Sequence, residues 1–206
     1  EMMATIDATP DVASISERIQ TTLKQTQTSL QQAAKGLYNQ VDSVVPANSL
    51  VEPQNSVMLL NKMLEELGGV NALTGKEKML FDTLTDPNTP LTYAALKKFR
   101  NGIGKAINKG EGEFADMDTG TAKRIYGALT EDYLATAQRV GGDEARATLR
   151  LANQTTAKQK ALEKRMINFF AKDGEKSIAS VLTTAMSQGS KKGDITNLNR
   201  ILKLVP

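Results

Sequence analysis

Mostly apolar residues recur every three or four positions along the first part of the chain: Val12, Ile15, Ile19, Leu23, Thr26, Leu30, Ala33, Leu37, Val41 and Val44. That spacing lines them up along one side of a single α-helix. Thr9 followed by Pro10 predicts its start, an N-cap with proline in the first helical position. The intervening positions are polar, as in Gln25-Thr26-Gln27-Thr28-Ser29, and offer no second apolar side. So narrow a stripe predicts a heptad-like seam against one other helix or another copy of the chain, with Ile15, Ile19, Leu23, Leu30 and Leu37 as the contact residues.

Pro46 and Pro53 bracket a polar connector, beyond which Val57, Leu60, Met63, Leu64 and Leu67 predict a second amphipathic helix ending at Gly68-Gly69. Thr74 and Glu77 form a capping-box pattern ahead of a short third helix carrying Met79, Leu80 and Leu84. Asp86-Pro87-Asn88-Thr89-Pro90 ends it. Thr92 can cap a fourth helix carrying Leu96, Phe99, Ile103 and Ile107. Gly102 and Gly104 weaken that helix by about 1 kcal/mol each relative to alanine, which points to a close neighbour at both.

An acidic, glycine-bearing loop from Lys109 to Asp118 is the segment expected to move most. A fifth helix is predicted over Thr121 to Val140 and a long sixth beyond Gly141-Gly142, capped by Asp143 and carrying Leu149, Ala152, Leu162, Met166 and Phe170. Gly174 and the run Gly189-Ser190-Lys191-Lys192-Gly193 bound a seventh helix, and Asp194 caps an eighth. No stretch alternates with period two, so no sheet is expected. The fold class is all-α: a bundle-like multi-helix protein with a long N-terminal amphipathic helix. Residues 1–45 are expected to form an extended, coiled-coil-like arm and 46–206 a compact helical domain.

Composition narrows the chemistry. The 206 residues include no cysteine and no histidine, which removes thiolate nucleophiles, disulfides and the usual general base and zinc ligand. Lysine and arginine number 26 against 23 acidic residues, a net charge of +3, and the two signs read as mixed along the chain rather than segregated, a mild bias only. Aromatic residues make up 4%, so the core is expected to be mostly aliphatic. No apolar run approaches the roughly 18 residues that span a bilayer. The start at Glu1-Met2-Met3 lacks a signal-peptide pattern, and both ends read as cuts in a longer polypeptide.

Each residue group that could carry chemistry has a plainer reading. Glu131-Asp132 is a carboxylate pair, but neighbours on a helix point about 100° apart and cannot address one bond together. Glu111, Glu113, Asp116 and Asp118 crowd one loop without the EF-hand spacing, so no metal is assigned. Gly102-Ile103-Gly104 and Gly189 to Gly193 complete no phosphate-binding motif. Tyr93, Phe99, Arg100, Tyr126 and Tyr133 could stack on bases or sugars, but their helical spacing makes packing between helices the better explanation. No catalytic residue and no cofactor is assigned.

The run Leu91-Thr92-Tyr93-Ala94-Ala95-Leu96-Lys97-Lys98-Phe99-Arg100-Asn101-Gly102-Ile103-Gly104-Lys105-Ala106-Ile107, together with Arg124-Ile125-Tyr126-Gly127-Ala128-Leu129-Thr130-Glu131-Asp132-Tyr133, resembles helical segments of large tailed-phage virion proteins. These are tail tape measures and internal proteins ejected with the genome, and the likeness covers residues 37 to 170. The resemblance implies a structural or interaction segment of a phage or prophage tail or ejected protein, found in the virion or in the host cytoplasm during assembly. Its partners would be proteins or other copies held through the first helix. Such segments often adjoin lytic domains, but no lytic motif is present and no catalytic residue carries over. Two alternatives stay open: a nucleic-acid-binding module using Lys97, Lys98, Arg100, Lys105 and Lys109, and an accessory domain of a peptidoglycan-lytic enzyme with a sugar-sized cleft at Glu131.

Overall fold

Residues 12–69 and 73–170 are described in a computed structural model. They form α1 (Val12–Val44), α2 (Gln54–Leu67), α3 (Gly75–Thr85), α4 (Tyr93–Lys109) and α5 (Thr119–Phe170). Among the described residues there is no strand, and an isolated antiparallel bridge joins Leu50 to Thr92. The described chain is all-α, and its first helix runs for 33 residues. The Thr9-Pro10 cap and the seventh and eighth predicted helices lie outside the described residues.

Local chemistry sets the helix ends. Proline at position 46 disfavours helical backbone at Val45, and α1 stops there. Gly68 closes α2 in the left-handed conformation, with φ 84°, while its N–H donates to the Leu64 carbonyl. At the start of α3 the capping box is complete: Thr74 N donates to Glu77 Oε2 at 2.8 Å, and Glu77 N donates back to Thr74 Oγ1 at 3.4 Å. Thr92 Oγ1 accepts from Ala95 N at 3.3 Å and caps α4. Asp118 Oδ1 accepts from Thr121 N at 2.9 Å ahead of α5, and that backbone hydrogen bond holds the Asp118 carboxyl below its usual value.

The two helices expected on either side of Gly141-Gly142 meet directly, without a loop. α5 bends at Gly142, whose φ of 78° and ψ of −176° are open to glycine. Gln138 stitches the bend, donating through Nε2 to Asp143 Oδ1 at 2.7 Å and accepting from Arg146 Nη1 at 2.6 Å. Asp143 therefore takes part as a partner of Gln138.

Contacts divide the chain into one unit of Leu37–Leu151 and another combining Glu1–Gly36 with Ala152–Pro206. This differs from an arm of 1–45 beside a domain of 46–206. The last turns of α1 carry Val41 and Val45 into the same core as α4 and α5, so the divisions fall inside α1 and inside α5. In the Leu37–Leu151 unit that core includes Leu60, Leu80, Leu96, Ile103, Ile125 and Leu129. The 109–118 connector is anchored there by Phe114 and Met117, both buried. In the other unit Leu23, Ala152 and Leu162 are fully buried.

The paired glycines of α4 are explained by what faces them. A Cβ on Gly102 would lie 3.0 Å from the Phe114 ring, and one on Gly104 3.0 Å from the Tyr126 ring. The helix gives up propensity so that two aromatic side chains can approach its backbone.

Candidate functional site

The first turn of α2 exposes backbone N–H groups that need acceptors, and its N-cap position holds Pro53, whose side chain has none. Asp132, projecting from α5, supplies them. Its Oδ1 accepts from Asn55 N at 2.9 Å and Asn55 Nδ2 at 2.8 Å. Its Oδ2 accepts from Ser56 N at 2.9 Å and Ser56 Oγ at 2.5 Å. Asp132 and Ser56 are both buried. A carboxylate at the positive end of a helix, with four donors converging on its two oxygens, is a cap supplied in trans.

Four donors leave that carboxylate little capacity for proton transfer to an outside molecule. Glu131, its neighbour in sequence, is exposed. The pair thus divides between core and solvent, as the angle between adjacent helical residues requires.

All four tyrosines of the chain fall within the Leu37–Leu151 unit, and two of them stack. The Tyr93 and Tyr133 rings lie 4.4 Å apart at 16°. The buried Arg100 guanidinium sits 4.8 Å from the Tyr126 ring centroid and 5.5 Å from that of Tyr133. Arg100 Nε also donates to Thr130 Oγ1 at 2.9 Å, and Thr130 Oγ1 donates to the Tyr126 carbonyl at 2.7 Å. This cluster locks α4 to α5.

The Tyr93 and Tyr133 hydroxyls are buried beside each other, and neither makes a hydrogen bond of good geometry among the described residues. Burial pushes the Tyr133 phenol up to about 12, and burial together with the neighbouring phenol pushes Tyr93 up as well. A raised value means that the neutral pair stabilises the fold fully below the ordinary phenol value near 10, and that this contribution is lost as pH climbs through the folded-state values. Tyr93→Phe removes an unpaired buried hydroxyl while keeping the stack. Its stability in urea should equal that of the parent or exceed it by up to about 1 kcal/mol; a loss of that size would mean that the hydroxyl is paired after all.

The other residues singled out by sequence are dispersed. Of the five cations proposed to track phosphates, Arg100 is buried, Lys97 pairs with Asp42 at 2.6 Å, and Lys105 pairs with Glu111 at 3.4 Å. In the acidic loop, Glu111 is taken by that pair, Glu113 pairs with Lys76 at 3.8 Å, and Asp118 caps α5. Among the described residues no group of three acidic side chains is placed to hold a metal ion. No described helix is long and apolar enough to cross a membrane.

Along the α1 stripe, Ile19, Leu30 and Leu37 are half-buried, and the Ile15 side chain lies outside the described residues. Leu23 is fully buried by the chain itself, so it is closed to an outside partner. No protein-family model matches the chain, and neither a curated protein nor a solved structure matches it.

Proposed function

We propose that the chain is a non-catalytic helical assembly segment whose contacts are made through α1. The observation that carries this reading is the form of that helix: 33 residues with a thin apolar line, bordered by exposed glutamine, threonine, serine and lysine. A helix of this type satisfies one neighbour along a seam and keeps the rest of its circumference in water. With Leu23 committed internally, Ile19, Leu30 and Leu37 are the described stripe residues left to meet a partner. The sequence likeness over residues 91–107 and 124–133 supplies the context, a phage or prophage virion protein of the tail or ejected type.

The lytic-accessory alternative draws no support from Glu131, which is exposed while its neighbour Asp132 is spent on the α2 backbone. The discriminating experiment compares the sedimentation of the parent chain with that of Ile19→Asp/Leu30→Asp. The double variant is expected to keep its helical circular dichroism and lose self-association; unchanged association would move the contact face away from α1.

A further inference from the structure

We infer that the unit containing residues 12–36 and 152–170 is a docking surface for the phosphate backbone of duplex nucleic acid. This inference does not rest on α1-mediated assembly. The net charge of +3 hides a partition between the two units. Residues 37–151 hold 13 basic and 15 acidic side chains, a net −2, whereas residues 12–36 and 152–170 hold seven basic and two acidic, a net +5.

The seven are Arg18, Lys24 and Lys35 on α1 and Lys158, Lys160, Lys164 and Arg165 on α5, and every one of them is exposed. Ion pairs of the other unit, such as Lys97 with Asp42 and Arg139 with Glu52, neutralise part of its charge. Lys24, Lys35, Lys158, Lys160 and Lys164 have no ion pair among the described residues. Exposed ammonium groups carried on helices are what a phosphate backbone recruits through counterion release.

The residues around these lysines favour nucleic acid over an anionic membrane. An interfacial membrane helix sinks a broad apolar face into the lipid, whereas the exposed positions of α1 between Arg18 and Lys35 are polar apart from Ala33, among them Gln20, Gln25, Gln31 and Gln32. The glutamine amides donate readily to phosphate oxygens. Residues 12–36 and 152–168 contain no aromatic ring, and the two that follow, Phe169 and Phe170, are adjacent at one end of the stretch, whereas stacking on single-stranded bases uses a series of rings along the surface. On α5, Lys160 and Lys164 share one side, about 6 Å apart along the axis and away from buried Leu162. They are the pair best placed to meet one strand's phosphates.

The test is fluorescence anisotropy of the full chain with a labelled mixed-sequence DNA duplex in rising salt. A footprint of about four phosphates predicts that affinity falls about a hundredfold between about 50 and about 200 mM salt, and that Lys160→Gln/Lys164→Gln reduces this fall to about tenfold. Lys62→Gln/Lys76→Gln, in the other unit, should leave the salt dependence unchanged. The inference is overturned if no duplex binding occurs at the lowest salt, if the α5 variant binds like the parent, or if the chain binds phosphatidylserine vesicles and not the duplex.

Discussion

Replacing Asp132 with alanine lowers the stability of the chain by about 3 kcal/mol, which corresponds to a fall of about 10 °C in melting temperature. The four donors that meet on its carboxylate lose their acceptors at once, and two of them are backbone N–H groups in the first turn of α2. Pro53 cannot substitute for the lost cap. Asp132→Asn retains the shape but turns an amide N–H₂ toward donors, so it recovers part of the loss at most. Ser56→Ala removes the 2.5 Å bond alone and costs about 1 to 2 kcal/mol. Urea unfolding followed by circular dichroism measures all three. A loss below about 0.5 kcal/mol for Asp132→Ala would remove this cap from the account and reopen the question of what a buried carboxylate is for.

Gly141→Ala should cost about 2 to 3 kcal/mol, although alanine is the better helix former. The added Cβ would lie 2.7 Å from the Ala145 Cβ and 3.2 Å from methyl carbons of both Val44 and Val45. None of these is the end of a flexible side chain, so backbone must shift where α1 closes on the bend of α5. Gly127 is the internal control: it sits inside α5, and a methyl group added there would have nothing within 4 Å. Gly127→Ala should raise stability by about 0.5 to 1 kcal/mol. Opposite signs at the two positions, measured by thermal unfolding, are the expected result; a gain at both would mean that the contact at Gly141 is loose.

Much of the fold was legible because local signals agreed with one another. Thr74 with Glu77, Thr92, Gly68 and Pro46 each fix a helix end through a side chain or φ preference that acts within a few residues. The glycines of α4 announced close neighbours, though only the structure names Phe114 and Tyr126. The division into units was not legible. It depends on Val41 and Val45 joining a core assembled from distant helices, and apolar periodicity does not say which neighbour a stripe meets. The internal burial of Leu23 was hidden for the same reason.

Asp132 had a signal that pairing it with Glu131 obscured. It occupies a position on the same helical face as buried Ile125, Leu129 and Thr136, where a charge must have partners. The matching signal at Pro53-Gln54-Asn55-Ser56, a helix start with no capping side chain in place, lies 76 residues away from it in sequence. The stacking of Tyr93 on Tyr133 could be read only as a tendency to pack, since its geometry is set by how α4 crosses α5.

Light scattering of the full chain across a concentration series, at low and at high salt, addresses the proposed assembly role most directly. The mass is expected to rise with concentration above that of one 22.3 kDa chain and to stay raised in high salt, because the α1 contact is apolar. A strict monomer at every concentration and both salts would contradict self-assembly through α1.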